Sequence, residues 1–340
     1  MLKEKLILQD RLKKIKKVFH EVFKQIQNQN ILISGANGFI GSILCLSLLN
    51  HCKVFCLVRN KSSMLSQFQR IYGNSDEINI VEHLDDITDK IDIVIHCASP
   101  TQSNFFVEYP IGTIDSICNY TKTLLDFSLK YKIKKFIFLS TMEVYGEVAG
   151  ENVSEKEIGA FDILNLRNSY PLAKQLCEFM VYAYTSKTNL NASILRLTQT
   201  IGPGAKLDDN RVYMEFIRSG LNKSNITLMT QGTTRRNYID VFDAVTAILF
   251  SIFDNKNIEI YNIANSKIYI SIYELAKLIA LQLKVKVDFS LNKDISQYLK
   301  SFERNLNTEK IQKLGWYPLF DLEQSIKDMI YFVREENKIQ

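Results

Sequence analysis

Turn-forming residues, long apolar stretches and paired cysteines are all scarce in this sequence. Glycine (13 residues) and proline (5) are few among 340, while 46% of the residues are hydrophobic and 23% charged. That balance excludes collagen-like, low-complexity and disordered classes. No run of ~18 apolar residues occurs, and the first residues lack the apolar stretch of a secretory signal, so no stable membrane insertion is expected. The six cysteines (Cys45, Cys52, Cys56, Cys97, Cys118, Cys177) form no C-x-x-C pair and have no clustered histidine partners. They read as reduced thiols of a cytoplasmic protein with no metal site. The net charge of +5 is too small for a dedicated nucleic-acid binder, although it suits an anionic small-molecule substrate.

The length accommodates one large or two fused domains at ~150 residues each. Residues 1–29 read as a basic amphipathic helix, with apolar positions from Leu2 through Leu8, Leu12, Ile15, Phe19 and Phe23 to Ile26. Such a stripe implies packing on the domain or a subunit interface. From Asn30 the pattern changes to short apolar runs alternating with helical stretches: Ile31–Ile33, a helix to Asn50, Val54–Val58, Ile78–Val81, Asp92–His96, a helix near Ile111–Tyr131, Phe136–Leu139, a helix near Tyr170–Ser186, and Ala192–Leu197. Apolar runs separated by helices predict an α/β fold with a doubly wound, Rossmann-type parallel sheet over residues 30–200. The rhythm loosens past Gly202, with helices near 210–221, 240–254, 271–283 and 321–336 and strands near 226–229 and 259–263. Residues 201–340 are therefore expected to form a smaller, mixed substrate lobe, some segments of which return to the first domain.

Gly35-Ala-Asn37-Gly38-Phe39-Ile40-Gly41 follows the first strand and opens the first helix, the context of a dinucleotide-binding loop. Its glycines permit a tight turn and close backbone approach, so that a pyrophosphate meets free N–H groups at the positive end of the helix. The spacing is G-x-x-G-x-x-G rather than G-x-G-x-x-G. Where an acidic residue would grip the ribose 2′-hydroxyl, Arg59-Asn60 stands instead, which suits a 2′-phosphate and favours NADP over NAD. Asp86-Ile87 is expected to cap the adenine, and Cys97-Ala98-Ser99 to border the cofactor's ribose and phosphates.

Tyr170 and Lys174 lie four residues apart, on one face of a helix start. A lysine beside a tyrosine lowers the phenol's pKa, as does a nearby cationic nicotinamide, which equips a phenolate to act as a base. Ser140-Thr141-Met142-Glu143-Val144-Tyr145-Gly146 follows an apolar strand, at the carboxyl edge where parallel sheets assemble their sites.

This series resembles the extended short-chain dehydrogenase/reductase family, in particular its nucleotide-sugar epimerases, dehydratases and decarboxylases, from about Ile31 onward. Carrying it are the glycine loop, His96–Ser99, Ser140–Gly146, Tyr170/Lys174, Arg196–Gly204, Arg236–Asp243, Tyr261–Asn265 and Leu314–Pro318. The resemblance implies a Thr141–Tyr170–Lys174 triad in which Tyr170 takes the proton of the sugar's 4-hydroxyl as hydride leaves C4. It makes Glu143 the base at C5, and Met142 stands where the 4,6-dehydratases carry an acid and the UDP-glucuronate decarboxylases a serine. Leu166-Arg167-Asn-Ser-Tyr170 and Asp209-Asn-Arg211-Val212 look like the decarboxylases. Arg211, Arg236 and Arg304 are expected at the diphosphate of a nucleoside diphosphate sugar, with Met142 and Gln199 lining its site and Asn237 replacing a usual aspartate. A homodimer through two helices on the flank of the sheet is also implied. A C4 epimerase, a 4-keto-sugar reductase and a non-catalytic cofactor-binding protein are the alternatives.

Overall fold

The computed structural model describes residues 3–72, 78–291 and 303–336. Seven apolar runs form one parallel sheet: β1 (Asn30–Ser34), β2 (Lys53–Leu57), β3 (Asn79–Val81), β4 (Ile93–His96), β5 (Lys135–Thr141), β7 (Asn191–Leu197) and β11 (Ile258–Ile263). Their order is β3-β2-β1-β4-β5-β7-β11, so the winding reverses between β1 and β4. A crevice opens at the carboxyl ends of those two strands, the place where doubly wound sheets bind ligands. Side chains alternate between two cores. Ile31 and Ile33 of β1 pack on one face with Ile93 and Ile95, and Leu32 joins Val94, Phe136 and Phe138 on the other. Both faces are covered, which is why the strands read as continuous apolar runs.

Helices α3 (Phe39–Leu48), α4 (Lys61–Tyr72) and α9 (Val241–Ile252) cover the first face, and α5 (Ser103–Glu108), α6 (Pro110–Lys130) and α7 (Ser169–Lys187) the second. A third core gathers α8 (Val212–Leu221), α10 (Ile272–Leu283) and α12 (Leu322–Glu336) around β8 (Gln199–Ile201), β9 (Ile226–Leu228) and β10 (Arg235–Asp240). In this lobe β10 pairs parallel with β8 and antiparallel with β12 (Asn265–Ser271). Two small parallel pairs join β6 (Gly150–Val153) to β14 (Arg304–Leu306) and β9 to β13 (Val287–Phe289). A short helix, α11 (Glu309–Gln312), precedes Trp316. Strand β11 returns from the second half of the chain to the central sheet, as does α9.

The amphipathic N-terminal segment is two helices rather than one, α1 (Lys3–Val18) and α2 (His20–Gln25), broken at Phe19. Leu2, at the start of its apolar stripe, lies outside the described residues. Leu8, Ile15, Phe19, Phe23 and Ile26 are all buried against the α9 side of the sheet. Arg11 is buried with them, 2.6 Å from Asp240 and 2.7 Å from Asp328, with its guanidinium 4.3 Å from the Phe320 ring. Among the described residues, no helix is long and apolar enough to cross a membrane.

Candidate active site

The glycine loop sits at the β1 end of the crevice. Gly35 has φ +69°, and a Cβ there would lie 2.7 Å from the Ala98 backbone, so the β1 and β4 turns touch at a place only glycine fits. A Cβ on Gly41 would lie 2.2 Å from the Gly35 carbonyl oxygen. Gly38 caps α3 with no side-chain acceptor, which leaves the first amides of that helix directed toward the crevice. The Gly38 N–H closes the turn on the Gly35 carbonyl at 2.9 Å, and these residues fit a dinucleotide pyrophosphate, for which the amides of Phe39, Ile40 and Gly41 would be the donors at the positive end of α3. Asn37 lies in the same turn, half-buried.

Arg59 is exposed just past β2, and no ion pair forms at it among the described residues. Asn60 accepts the Ser63 N–H at 2.8 Å, and Glu82, which the sequence did not single out, accepts the Lys61 N–H at 2.9 Å. Asp86 accepts the His83 N–H, while Ile87 is buried against the α6 side of the sheet. Beyond β4, the Cys97 amide donates to the Ser34 carbonyl and the Ala98 amide to the Ser34 hydroxyl, which fixes that turn against the glycine loop. Burial pushes the Cys97 thiol up to about 12. Ser99 donates to the Pro100 carbonyl.

At the end of β5, Thr141 is buried and its hydroxyl accepts the Glu143 N–H at 3.2 Å, starting the short helical turn Met142–Tyr145. Tyr170 and Lys174 face this turn from the first turns of α7, where Pro171 is tolerated because no intrahelical N–H partner is required there. Lys174 donates to the Leu139 carbonyl at 2.8 Å, and burial lowers its pKa to about 8. The expectation of a depressed phenol pKa is corrected by the structure. Burial, then the Glu143 charge, raises Tyr170 above its ordinary range, against the opposing Thr141 hydrogen bond, Arg167 and Arg211. Lys174, engaged with the Leu139 carbonyl, does not overcome that desolvation.

A contact absent from the sequence reading completes this cluster. Arg167 donates to Glu143 Oε2 at 2.8 Å and lies 4.8 Å over Phe106, whose ring stacks on Tyr170 at 4.4 Å and 6°. The buried Arg167 Nε has no hydrogen-bond partner among the described residues. Behind the cluster, Ser140 donates to Glu178 at 2.5 Å, and Arg196 holds the same carboxylate through contacts of 2.7–3.3 Å. This buried network ties the end of β5 to α7 one turn beyond Lys174. It escaped the sequence because Glu178 and Arg196 belong to different elements, with no spacing that links them.

The three arginines expected at a diphosphate differ in their surroundings. Arg304 donates to the Met142 carbonyl at 2.9 Å and to the Gly146 carbonyl. Burial, with Arg236 nearby, lowers its pKa to about 10. Arg236 is half-buried on β10. Arg211 is paired with Asp209 through several contacts, donates to the Thr200 carbonyl at 3.2 Å and lies near Phe39 and Tyr213. Met142 is buried among Tyr145, Val153, Ala264 and Leu306, and its sulfur lies 3.2 Å from the Thr198 hydroxyl, which donates to the Asn237 carbonyl at 2.7 Å. Gln199 opens β8 beside Tyr238. Asn237 ties β10 to β14, donating to Asn305 and accepting the Leu306 N–H.

Residues 31–264 match the NAD dependent epimerase/dehydratase family. UDP-glucuronic acid decarboxylase 1 of Xenopus tropicalis is 23% identical over 338 residues, covering 97% of this chain and 79% of that protein. The dTDP-D-glucose 4,6-dehydratase of Dictyostelium discoideum is 32% identical over 256 residues, covering 70% of this chain and 58% of its own length. Among solved structures, UDP-glucuronic acid 4-epimerase of Bacillus cereus in complex with UDP-glucuronic acid and NAD superposes with a TM-score of 0.77 at 22% identity, covering 91% of this chain and 100% of that one.

Proposed function

The chain belongs to the NAD dependent epimerase/dehydratase family, and on that premise we propose that it oxidises a nucleoside diphosphate sugar transiently at C4 and acts at C5 through Glu143. We read the substrate as a uronate, which the enzyme decarboxylates. When bound, the nicotinamide supplies the hydride acceptor for C4 and a positive charge beside the reacting atoms. Tyr170 takes the proton of the 4-hydroxyl and returns it. The Thr141 hydroxyl, Arg167 and Arg211 favour the phenolate against the burial that opposes it. Lys174, fixed on the Leu139 carbonyl, ties the start of α7 to β5 and would be the residue that holds the cofactor's ribose.

Oxidation at C4 turns a uronate into a β-keto acid. The carboxylate then leaves as carbon dioxide, its bonding electrons pass into the C4 ketone, and C5 takes a proton. Glu143 is the acid–base group that the β5 end supplies for that proton. The observation that carries the uronate reading is Arg167, a guanidinium 2.8 Å from Glu143 whose buried Nε has no hydrogen-bond partner among the described residues. An anionic carboxylate at C6 suits that fork. Dehydration is disfavoured at position 142, where a buried thioether has no proton to give a leaving 6-hydroxyl. Inversion at C4 alone needs neither Glu143 nor Arg167.

Arg236 and Arg304, with Arg211, are assigned to the diphosphate. Arg59 favours NADP over NAD because its guanidinium matches a 2′-phosphate. The outer faces of α6 and α7 expose Ile111, Ile114, Leu176, Phe179 and Tyr182, which supports a homodimer through these helices. The test of the reaction is mass spectrometry on a panel of nucleoside diphosphate sugars that includes UDP-glucuronic acid. Loss of carbon dioxide from the uronate is expected. Loss of water from a neutral hexose, with the uronate untouched, would replace decarboxylation by dehydration.

A further inference from the structure

The α7 side of the central sheet is apolar until its carboxyl end, where it turns polar. Strand β5 sends Phe136 and Phe138 to that face, and β7 sends Ala192 and Ile194. The next residues in the same alternation are Ser140 and Arg196, which are direct cross-strand partners. Glu178 of α7 is buried against both. It accepts the Ser140 hydroxyl at 2.5 Å, and Nε and Nη2 of Arg196 at 2.7–3.3 Å. The remaining arm of Arg196 donates to the Glu155 carbonyl at 3.1 Å, and its guanidinium lies 4.7 Å from the Tyr145 ring.

Glu178 follows Lys174 by four residues, as Lys174 follows Tyr170, so the three share one face of α7. All three engage the end of β5. Tyr170 is hydrogen-bonded with Thr141, Lys174 donates to the Leu139 carbonyl at 2.8 Å, and Glu178 takes the hydroxyl of Ser140 between them. We propose that Glu178 is the positioning residue of the Tyr170/Lys174 pair. Its carboxylate pins the third turn of α7 to β5 and β7, and its charge keeps Lys174 an ammonium. This rests on the oxidation at C4 proposed above, in which Tyr170 is the base.

Lys174 is buried 4.7 Å over the Phe138 ring. Around it stand His96 and Cys97 of β4, Cys118 of α6, and Cys177 and Glu178 of α7. Burial holds His96 well below its ordinary range and pushes the Cys97 thiol up to about 12. The Cys177 contact, with burial, raises Cys118, so these three are uncharged at neutral pH. The Cys118 contact draws the Cys177 thiol down, which makes Cys177 the neighbour to tell apart from Glu178. Burial lowers Lys174 to about 8, and Glu178 opposes that fall from the adjacent turn. A neutral amine would hold the Leu139 carbonyl more weakly than the ammonium does.

The test is the pH profile of E178Q, a substitution that keeps the size of the side chain and an acceptor for Ser140 but removes the charge. Losing an anion beside Lys174 disfavours the ammonium, so the alkaline limb of kcat should move down by ~1 pH unit, a tenfold loss at fixed pH on that limb, with KM within threefold of wild type. C177A should keep its limb at the wild-type position. A purely structural role for Glu178 would lower stability and leave the limb in place. A second reading needs no substrate. Burial penalises charged Lys174 below its folded pKa, and the penalty fades from there to 10.5, so the melting difference between a protein and its K174M variant should begin to narrow at lower pH in the E178Q background. If E178Q does not fold, E178Q/R196M removes the ion pair together, a replacement that buried pairs often tolerate, and carries the same two readings. An enzyme that turns over no sugar refutes the proposed function and leaves the melting reading to decide the charge on Lys174. Either reading unmoved by E178Q in an active enzyme, or a C177A limb that moves as far, overturns the proposal.

Discussion

Replacing Tyr170 by phenylalanine removes one oxygen from the centre of the cluster and leaves most of its packing in place. The ring stacks on Phe106 at 4.4 Å and 6°, and a phenylalanine ring keeps that contact. What is lost is the phenol's hydrogen bond with Thr141 and its capacity to take the 4-hydroxyl proton. The stability effect of one buried hydroxyl bond is about 1 kcal/mol. Loss of a general base lowers turnover ~100- to 10,000-fold, which at ~1.36 kcal/mol per decade is about 3–5 kcal/mol in the barrier. Y170F should therefore keep the melting temperature and cofactor affinity of wild type within small margins, while the rate of cofactor reduction on adding substrate collapses. Stopped-flow absorbance of the reduced nicotinamide, beside a cofactor titration, separates the two effects. A variant that retains more than a tenth of the wild-type rate refutes the assignment of Tyr170 as base, because the other phenol of the neighbourhood, Tyr145, is committed to Asn262 at 2.6 Å.

Three further outcomes are expected. G41A places a methyl group 2.2 Å from the Gly35 carbonyl oxygen and should weaken cofactor binding at least ~10-fold, about 1.4 kcal/mol; unchanged affinity in a fluorescence titration would remove the loop from the cofactor site. R59A should weaken NADP binding more than NAD binding, and equal affinities in both proteins would take the 2′-phosphate away from Arg59. K174M should abolish turnover yet melt higher than wild type near neutral pH. Lys174 falls from 10.5 to about 8 in the folded protein, so below pH 8 its ammonium is charged in both states and burial destabilises the fold, by at most ~3 kcal/mol. That penalty fades as pH rises from 8 toward 10.5, so the difference in melting temperature should narrow across this window. A constant difference would show that the lysine is not desolvated.

The parallel sheet was legible because its strands are buried on both faces, so Ile31–Ile33, Val54–Leu57 and Phe136–Leu139 stand out as apolar runs. The glycine loop was legible for a steric reason, since Gly35 and Gly41 occupy positions where a side chain would collide with backbone. Strand β10 was not seen as a strand. Its residues Arg235, Arg236 and Asn237 are polar, and cross-links such as Asn237 to Asn305 and Leu306 hold it where apolar periodicity gives no signal. The break at Phe19 carries neither glycine nor proline. Arg167 was visible as part of a motif before Tyr170, but its pairing with Glu143 depends on the turn after β5 meeting the turn before α7. The phenol's pKa was misjudged for the same reason: a neighbouring lysine is visible in sequence, and the burial that outweighs it is not.

The central claim is that the 4-keto sugar is processed at C5 by Glu143, and the direct measurement is NMR of the product formed from UDP-glucuronic acid in D₂O. The account requires a decarboxylated sugar carrying one deuterium at C5, and E143Q should still reduce the cofactor on binding substrate while losing that product. A wild-type product that retains the carboxylate, carries no deuterium at C5 and differs only at C4 would contradict it and leave inversion at C4 as the reaction.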